Sequence, residues 1–329
     1  MRRTRTGAVA VPAALLMALV VGCGSGDDTG SGSEDDSGLT PVTVGLIPIV
    51  DVAPLYLGDS QGFFEDAGLD PTFEMAQGGA AIVAAVVSRD YDFGFSNIVS
   101  LMNAQSQGIE LQVVAAGSSS TGEPGADFGS ILVPEGSDID SVDDLSGHTI
   151  AINALQSMND PLIRDAVERA GGDPDTVEFV EIGHPEMNQA LEQGQVDAIW
   201  QVEPFHTMAL DAGMVSIYSL YAEATDDLSV AAYFASGTLL EDDPELAAAF
   251  REAVNRSFEY ATDHPDEART ALLDYTTIDP DVADRLVLPA WPTTINRDSV
   301  DFVTELTVGD GLFSEEDLDL DRLFPADVQ

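Results

Sequence analysis

The chain is 329 residues long and carries 59 acidic against 12 basic side chains, a formal net charge of −47. Every basic residue is arginine and lysine is absent, and phosphate repulsion over such a surface excludes nucleic acid as a partner. A GC-rich coding bias accounts for the missing lysine but not for the excess carboxylates, whose self-repulsion points to a screened, salty exterior and hence to halophily.

Arg2, Arg3 and Arg5 precede an apolar stretch over residues 7–21. These are the charged and hydrophobic regions of an export signal, too short for a comfortable membrane span. Cys23, the one cysteine, directly follows Val20-Val21-Gly22. A lone cysteine at such a boundary resembles the lipobox of bacterial lipoproteins; the alternative is a secreted protein whose signal ends in Gly-Cys. The resemblance implies a signal peptide over residues 1–22, lipid on Cys23 and cleavage before it. Several acyl chains at one point anchor stably where one would be marginal. The mature protein is then expected on the outer face of the cell membrane, with a charge near −50, because the removed segment holds three arginines and no acid. Residues 24–38 contain only Gly, Ser, Asp, Glu and Thr. With nothing apolar to bury, residues 23–40 are expected to form a flexible, self-repelling linker. With its thiol lipidated, the chain has no disulfide, and packing alone must stabilise it.

Beyond Pro41 strand and helix alternate. Strands are expected at residues 42–47, 71–75, 92–95, 111–116 and 130–134, with helices at 53–67, 80–89 and 98–107. The 80–89 helix is apolar all round and is expected to be buried. A Gly/Ser-rich loop covers 117–129. The pattern then restarts, with strands at 149–153, 177–182, 197–200 and 215–218 and helices at 160–170, 185–193 and 204–212. Two such series imply an α/β chain with two lobes and mostly parallel sheets. After a strand at 230–235 the remainder reads as helical. Proline opens three of its helices, at Asp243-Pro244, His264-Pro265 and Asp279-Pro280, each with a preceding residue able to cap.

The stretches Val44-Gly45-Leu46-Ile47-Pro48, Ala53-Pro54-Leu55-Tyr56-Leu57 and Gly62-Phe63-Phe64-Glu65-Asp66-Ala67-Gly68-Leu69 resemble the opening of one family. Its members are the solute-binding proteins of ABC importers for nitrate, sulfonates, taurine and pyrimidine precursors of thiamine. The similarity continues through Tyr91-Asp92-Phe93-Gly94, Asp144-Leu145-Ser146-Gly147-His148-Thr149-Ile150-Ala151, Gly194-Gln195-Val196-Asp197-Ala198 and Glu203-Pro204-Phe205. It spans most of residues 42–290 and is specific for family, not for ligand. It implies the two-lobed periplasmic-binding-protein fold of type 2, with the solute in an interlobe cleft and two strands crossing between the lobes. Lobe 1 is expected over 41–129 plus 231–329 and lobe 2 over 130–230. A monomer, working with the permease and ATPase of the importer, is the implied partner set.

In open α/β sheets ligands bind beyond the carboxyl ends of strands, near helix N-termini. That rule selects residues 49–51 with Asp51, then Gln77, Gly78, Gly79, Ser96, Asn97, Gly117 and Ser118 in the first series, and residues 156–159 from Gln156 to Asn159, His184, and residues 201–203 from Gln201 to Glu203 in the second. Gly78-Gly79 permits close backbone approach, or simply makes a turn with φ above zero. Asp51, Ser96, Asn97 and His184 are equally placed to cap helices. Trp200 reads as core or as a stacking wall, and the resemblance places Trp291 near the cleft. The family carries the Glu-Pro pair across differing ligands, so Glu203 is a ligand contact or a loop-shaping residue.

No Gly-x-Ser-x-Gly elbow, Walker loop or dinucleotide fingerprint follows a strand, and His148, His184, His206 and His264 lack metal-ligand spacing. The fungal pyrimidine synthases of thiamine biosynthesis resemble the chain in outline but carry a cysteine-rich motif that is missing here. The expectation is a non-enzyme without cofactor or metal; an enzyme on the same fold, or a tethered sensor, are the alternatives. The candidate cleft loops hold no arginine. With Asp51 and Glu203 present, a neutral or weakly cationic heterocycle such as a pyrimidine precursor is favoured, and a sulfonate, taurine or nitrate is the alternative.

Overall fold

The structure is a computed structural model that describes residues 38–329. The signal peptide, Cys23 and nearly all of the linker lie outside the described residues. Ten strands follow in chain order: β1 (Thr40–Leu46), β2 (Leu69–Met75), β3 (Phe93–Asn97), β4 (Leu111–Ala116), β5 (Gly129–Pro134), β6 (Thr149–Ile152), β7 (Glu178–Glu181), β8 (Ala198–Val202), β9 (Met214–Tyr218) and β10 (Ala231–Ser236). They form two five-stranded sheets flanked by helices, in the orders β2-β1-β3-β10-β4 and β7-β6-β8-β5-β9.

Both sheets are mixed, and for the same reason. β1 pairs in parallel with β2 and β3, whereas β10 lies antiparallel between β3 and β4. In the second sheet β6 pairs in parallel with β7 and β8, whereas β5 lies antiparallel between β8 and β9. β-helix-β units set the parallel strands. Each inserted strand is the one that has just arrived from the other sheet. The chain passes over between Ala116 and Gly129 and comes back between Tyr218 and Ala231, and residues Leu39–Gln329 form one compact unit. β10 is buried along its whole length, which its Ala-Ala-Tyr-Phe-Ala run permits. Phe93 on β3 stacks on Phe250 of the Pro244–Asp263 helix, with ring centroids 3.9 Å apart.

Three expectations need correction. The helix expected over 53–67 divides into Ala53–Ser60 and Phe63–Asp66, because Gly62 takes a left-handed φ of 77° that ends one turn and starts the next. Asp243 and Asp279 cap the helices that follow them, but His264 does not; its Nδ1 lies 2.9 Å from the Tyr260 carbonyl and its ring stacks on Tyr260. The apolar helix, Gly79–Ser88, is only half buried. Ile82, Val83 and Val86 face the sheet, while Ala80, Ala81, Ala84 and Val87 are exposed. Its close seat explains two glycines: a Cβ on Gly45 of β1 or Gly94 of β3 would stand 2.9 and 2.4 Å from Ile82 Cγ2. Those glycines let the helix start directly above the ends of β1 and β3.

Candidate functional site

The carboxyl ends of β1, β3 and β4 bring together Asp51, Ser96, Asn97 and Ser118 from segments far apart in sequence. Asp51 does not cap a helix. It sits in the single turn Val50–Val52 with no capping bond, 2 % exposed. Its Oδ1 accepts from the Ser118 hydroxyl, its backbone carbonyl accepts from Trp291 Nε1 at 3.0 Å, and its buried Oδ2 has no protein partner. Burial drives the Asp51 pKa up to about 6, against the Ser118 bond that lowers it. Burial first, and the Asp51 charge second, hold the hydroxyls of Tyr221, Tyr233 and Tyr275 well above the usual tyrosine range. The Tyr233 hydroxyl is likewise buried and unpartnered, while Tyr275 donates to the Ile49 carbonyl at 2.9 Å. A buried carboxylate oxygen left unpaired costs free energy unless a ligand or water completes it.

Beside this group the Gly79–Ser88 helix begins. Gly78 is extended, with φ 176° and ψ 171°, so the pair is not a turn of positive φ. Gly79 is glycine because of close approach: a Cβ there would stand 2.2 Å from Ser96 Oγ, itself buried and unpartnered. Asn97 caps the Ile98–Ser106 helix, accepting from Ser100 N at 2.9 Å. Its amide nitrogen also donates to Ser157 Oγ on the second-sheet side at 2.9 Å. Capping and contact across the molecule coexist in one side chain.

From the second sheet, His184 is buried at the start of the His184–Glu192 helix and makes no capping bond. Its Nδ1 is 2.8 Å from Gln201 Oε1, and Gln201 Nε2 donates to the His184 carbonyl and to Asn188 Oδ1. Because the Gln201 amide is spent donating, its oxygen accepts and Nδ1 carries the proton. Burial pushes the His184 pKa down to about 4. Asn159 accepts from the Tyr221 hydroxyl and donates to Asn153 Oδ1, both at 2.9 Å. Gln156, at φ 53°, places its carbonyl 3.5 Å from Asn103 Nδ2. Glu203 is fully buried, and both its oxygens are engaged by Thr207, with Val287 N and His206 Nδ1 also near Oε1. Its contacts are those of a residue that shapes the Glu203-Pro204 loop. Trp200 packs edge-on against Tyr221 in the core.

Further contacts join the two sides around this site. Val50 N donates to the Glu203 carbonyl at 3.0 Å, and Arg285 grips Asp211 with two bonds of 2.8 and 2.6 Å. None of the nine described arginines is left over for a ligand, since each is ion-paired with an Asp or Glu. Among the described residues no cluster of three or more His, Cys, Asp or Glu side chains is placed to hold a metal ion. Ser157 falls in the strand-end range 156–159, whereas Asn153, Tyr233 and Tyr275 were not legible as site residues. Tyr233 sits in an unbroken apolar strand, and Tyr275 in a turn distant from every strand end.

The model of the NMT1/THI5-like family matches residues 49–268, a range that holds Asp51, Asn97, Ser118, His184 and Glu203. The chain belongs to the NMT1/THI5-like family. A formylaminopyrimidine-binding protein of Halalkalibacterium halodurans is 23% identical to this family member over 246 residues, 73% of this chain and 72% of that protein. A Bacillus subtilis protein named for aliphatic sulfonate binding is 24% identical over 274 residues, 82% of this chain and 78% of that one. The ligand-binding component of an ABC-type import system from Staphylococcus aureus, solved with zinc bound, shares the fold at a TM-score of 0.73 and 16% identity, over 85% of this chain and 96% of that one. A desulfurization enzyme, DszB, has the same fold at a TM-score of 0.58 and 15% identity, over 87% of this chain and 96% of that one. The fold therefore serves solute binding and, in one neighbour, catalysis.

Proposed function

We propose that this NMT1/THI5-like chain is the extracytoplasmic solute-binding component of an ABC importer, and that it takes a neutral or weakly cationic heterocycle such as a pyrimidine precursor. The carrying observation is Asp51, a buried carboxylate whose Oδ2 has no protein partner and whose charge reaches the Tyr233 and Tyr275 hydroxyls. An amino or protonated ring nitrogen completes that oxygen; a sulfonate or nitrate is repelled by it. The pairing of every described arginine with a carboxylate supports the same choice. Residues 41–129 with 231–329, and 130–230, act as the two lobes. Bonds such as Asn97 to Ser157 hold the closed form, and solute shifts the population toward it by binding both sides.

The sulfonate reading keeps one specific support, the free amides at the start of the Gly79–Ser88 helix, which can hold an anion without arginine. Thermal shift of the purified protein separates the two readings. Formylaminopyrimidine should raise the melting temperature by mass action, while taurine, an alkanesulfonate and nitrate should not. Asn97→Ala should weaken binding about tenfold, by loss of the bond to Ser157 that the closed form makes across the cleft. Bound solute recovered chemically altered would favour an enzyme on this fold and sink the transport reading.

Lipid on Cys23 completes the proposal by tethering the protein beside its permease. Cys23→Ser should release the protein from membrane fractions or block its processing, as mass spectrometry of the N-terminus would show. An unmodified Cys23 in a fully soluble mature protein would end that part of the reading.

A further inference from the structure

The Gly79–Ser88 helix leaves an apolar face open, with Ala80, Ala84 and Val87 exposed, Val87 at 48 %. A ten-residue helix without a charge belongs inside a protein, and a contiguous apolar face outside it marks a binding surface. This face lines a groove of about 740 Å³ together with Ala104 and Ile109. The groove is continuous with the site, for Gln77, Gly78, Gly79 and Asn153 also line it. Leu155, 44 % exposed and on the second-sheet side, also lines it. The Leu155 amide donates to Glu181 Oε2 at 3.0 Å, which fixes that residue and turns the one charged lining side chain to a structural task.

We propose that this groove is a subsite for an apolar substituent of the solute, a short alkyl or aryl chain that runs from the bound head past Gln77 to Gly79. The inference rests on the solute-binding reading above. Two observations choose the solute as occupant over a protein partner. Gln77, Gly78, Gly79 and Asn153 border both the groove and the candidate site, and Leu155 comes from the other side of the cleft, so the groove is complete only where the two sides meet, as closure on a solute provides. Alanines at positions 80, 84 and 104 give it width, and its volume falls in the range of small-molecule pockets.

Calorimetric titration of the whole protein with two homologous series tests this: 4-aminopyrimidines with a 5-alkyl chain from methyl to hexyl, and n-alkanesulfonates from methyl to octyl. In the series whose head binds, affinity should rise about fourfold per buried methylene. Ala84→Trp, a substitution at an exposed position, should fill the groove and flatten the series while leaving the methyl member within about a factor of two. Val87→Asn, a smaller change that keeps the groove open, should lower the slope. If methyl members bind and chain length is without effect, or both variants keep the parental slope, the subsite is wrong and the solute-binding reading stands. If no member of either series binds a folded parent, the solute reading fails and the subsite with it.

Discussion

Asp51→Asn is expected to make the ligand-free protein more stable at neutral pH and to make it a poor binder. The Asp51 carboxyl is raised from 3.8 to about 6 by burial. A carboxyl shifted in that direction contributes stability that is fully present below 3.8 and lost as pH rises through 6. At about pH 7.5 the ionised side chain thus costs the fold up to about 3 kcal/mol. Asparagine keeps an oxygen for the Ser118 hydroxyl and removes the charge, so the melting temperature should rise by several degrees. Affinity for an aminopyrimidine should fall at least tenfold, as when one partner of a buried charged hydrogen bond is lost. His184 works in the opposite direction. Its pKa is lowered to about 4, so its contribution is present above 6.5 and lost as pH falls through 4. Across the window between pH 4 and 6 the two groups offset one another. Relative to the parent, Asp51→Asn should gain most above pH 6, and His184→Gln should gain most below pH 4. Urea denaturation at stepped pH measures both. Parental stability at neutral pH together with parental affinity in Asp51→Asn would overturn the assignment of Asp51.

Salt should have an effect of comparable size. The chain holds 59 carboxylates against 12 arginines, and the described arginines are already committed, as Arg285 is to Asp211 and Arg251 to Asp327. Most acidic side chains therefore face solvent with no cation nearby except salt. The Debye length falls from about 10 Å at 0.1 M to about 3 Å at 1 M, so repulsion among them should be removed within that range. A melting temperature higher by on the order of 10 °C between low and molar sodium chloride is expected, most of it gained at the lower end. A steep early rise that levels off distinguishes screening from the slower stabilisation by excluded salts at high concentration. A flat curve would mean the charge is spread harmlessly, and halophily would lose its physical basis.

Much of this molecule is legible from its residues one segment at a time. The β-branched run Val42-Thr43-Val44 makes a strand whose inward positions are Val42, Val44 and Leu46, as its burial records. Proline after aspartate opens helices at Pro244 and Pro280, because proline at the first helical position lacks only an amide that would be unpaired anyway, while the aspartate caps. Strand ends followed by Gly, Ser, Asp and Asn mark where a ligand can approach, and the residues selected by that rule, Asp51, Ser96, Asn97 and Ser118, stand at neighbouring strand ends in the fold. Family resemblance was legible for the same reason, since its motifs are short and local.

Roles, as distinct from positions, were decided by the tertiary structure. Asp51 is equally suited by sequence to cap a helix or to wait for a ligand. It is Ser118, Trp291 and the surrounding tyrosines, brought from up to 240 residues away, that bury it and leave one oxygen unpaired. Gly79 stands close against the Ser96 side chain beneath it, and its own φ does not call for glycine. Glu203 is occupied by its neighbours, and the apolar Gly79–Ser88 helix keeps one face open although its composition demands cover. Local pattern determines which backbone forms and which face is apolar, because those depend on neighbours along the chain. Whether a single polar group is satisfied, or a single apolar face is covered, depends on segments that meet only in the folded state.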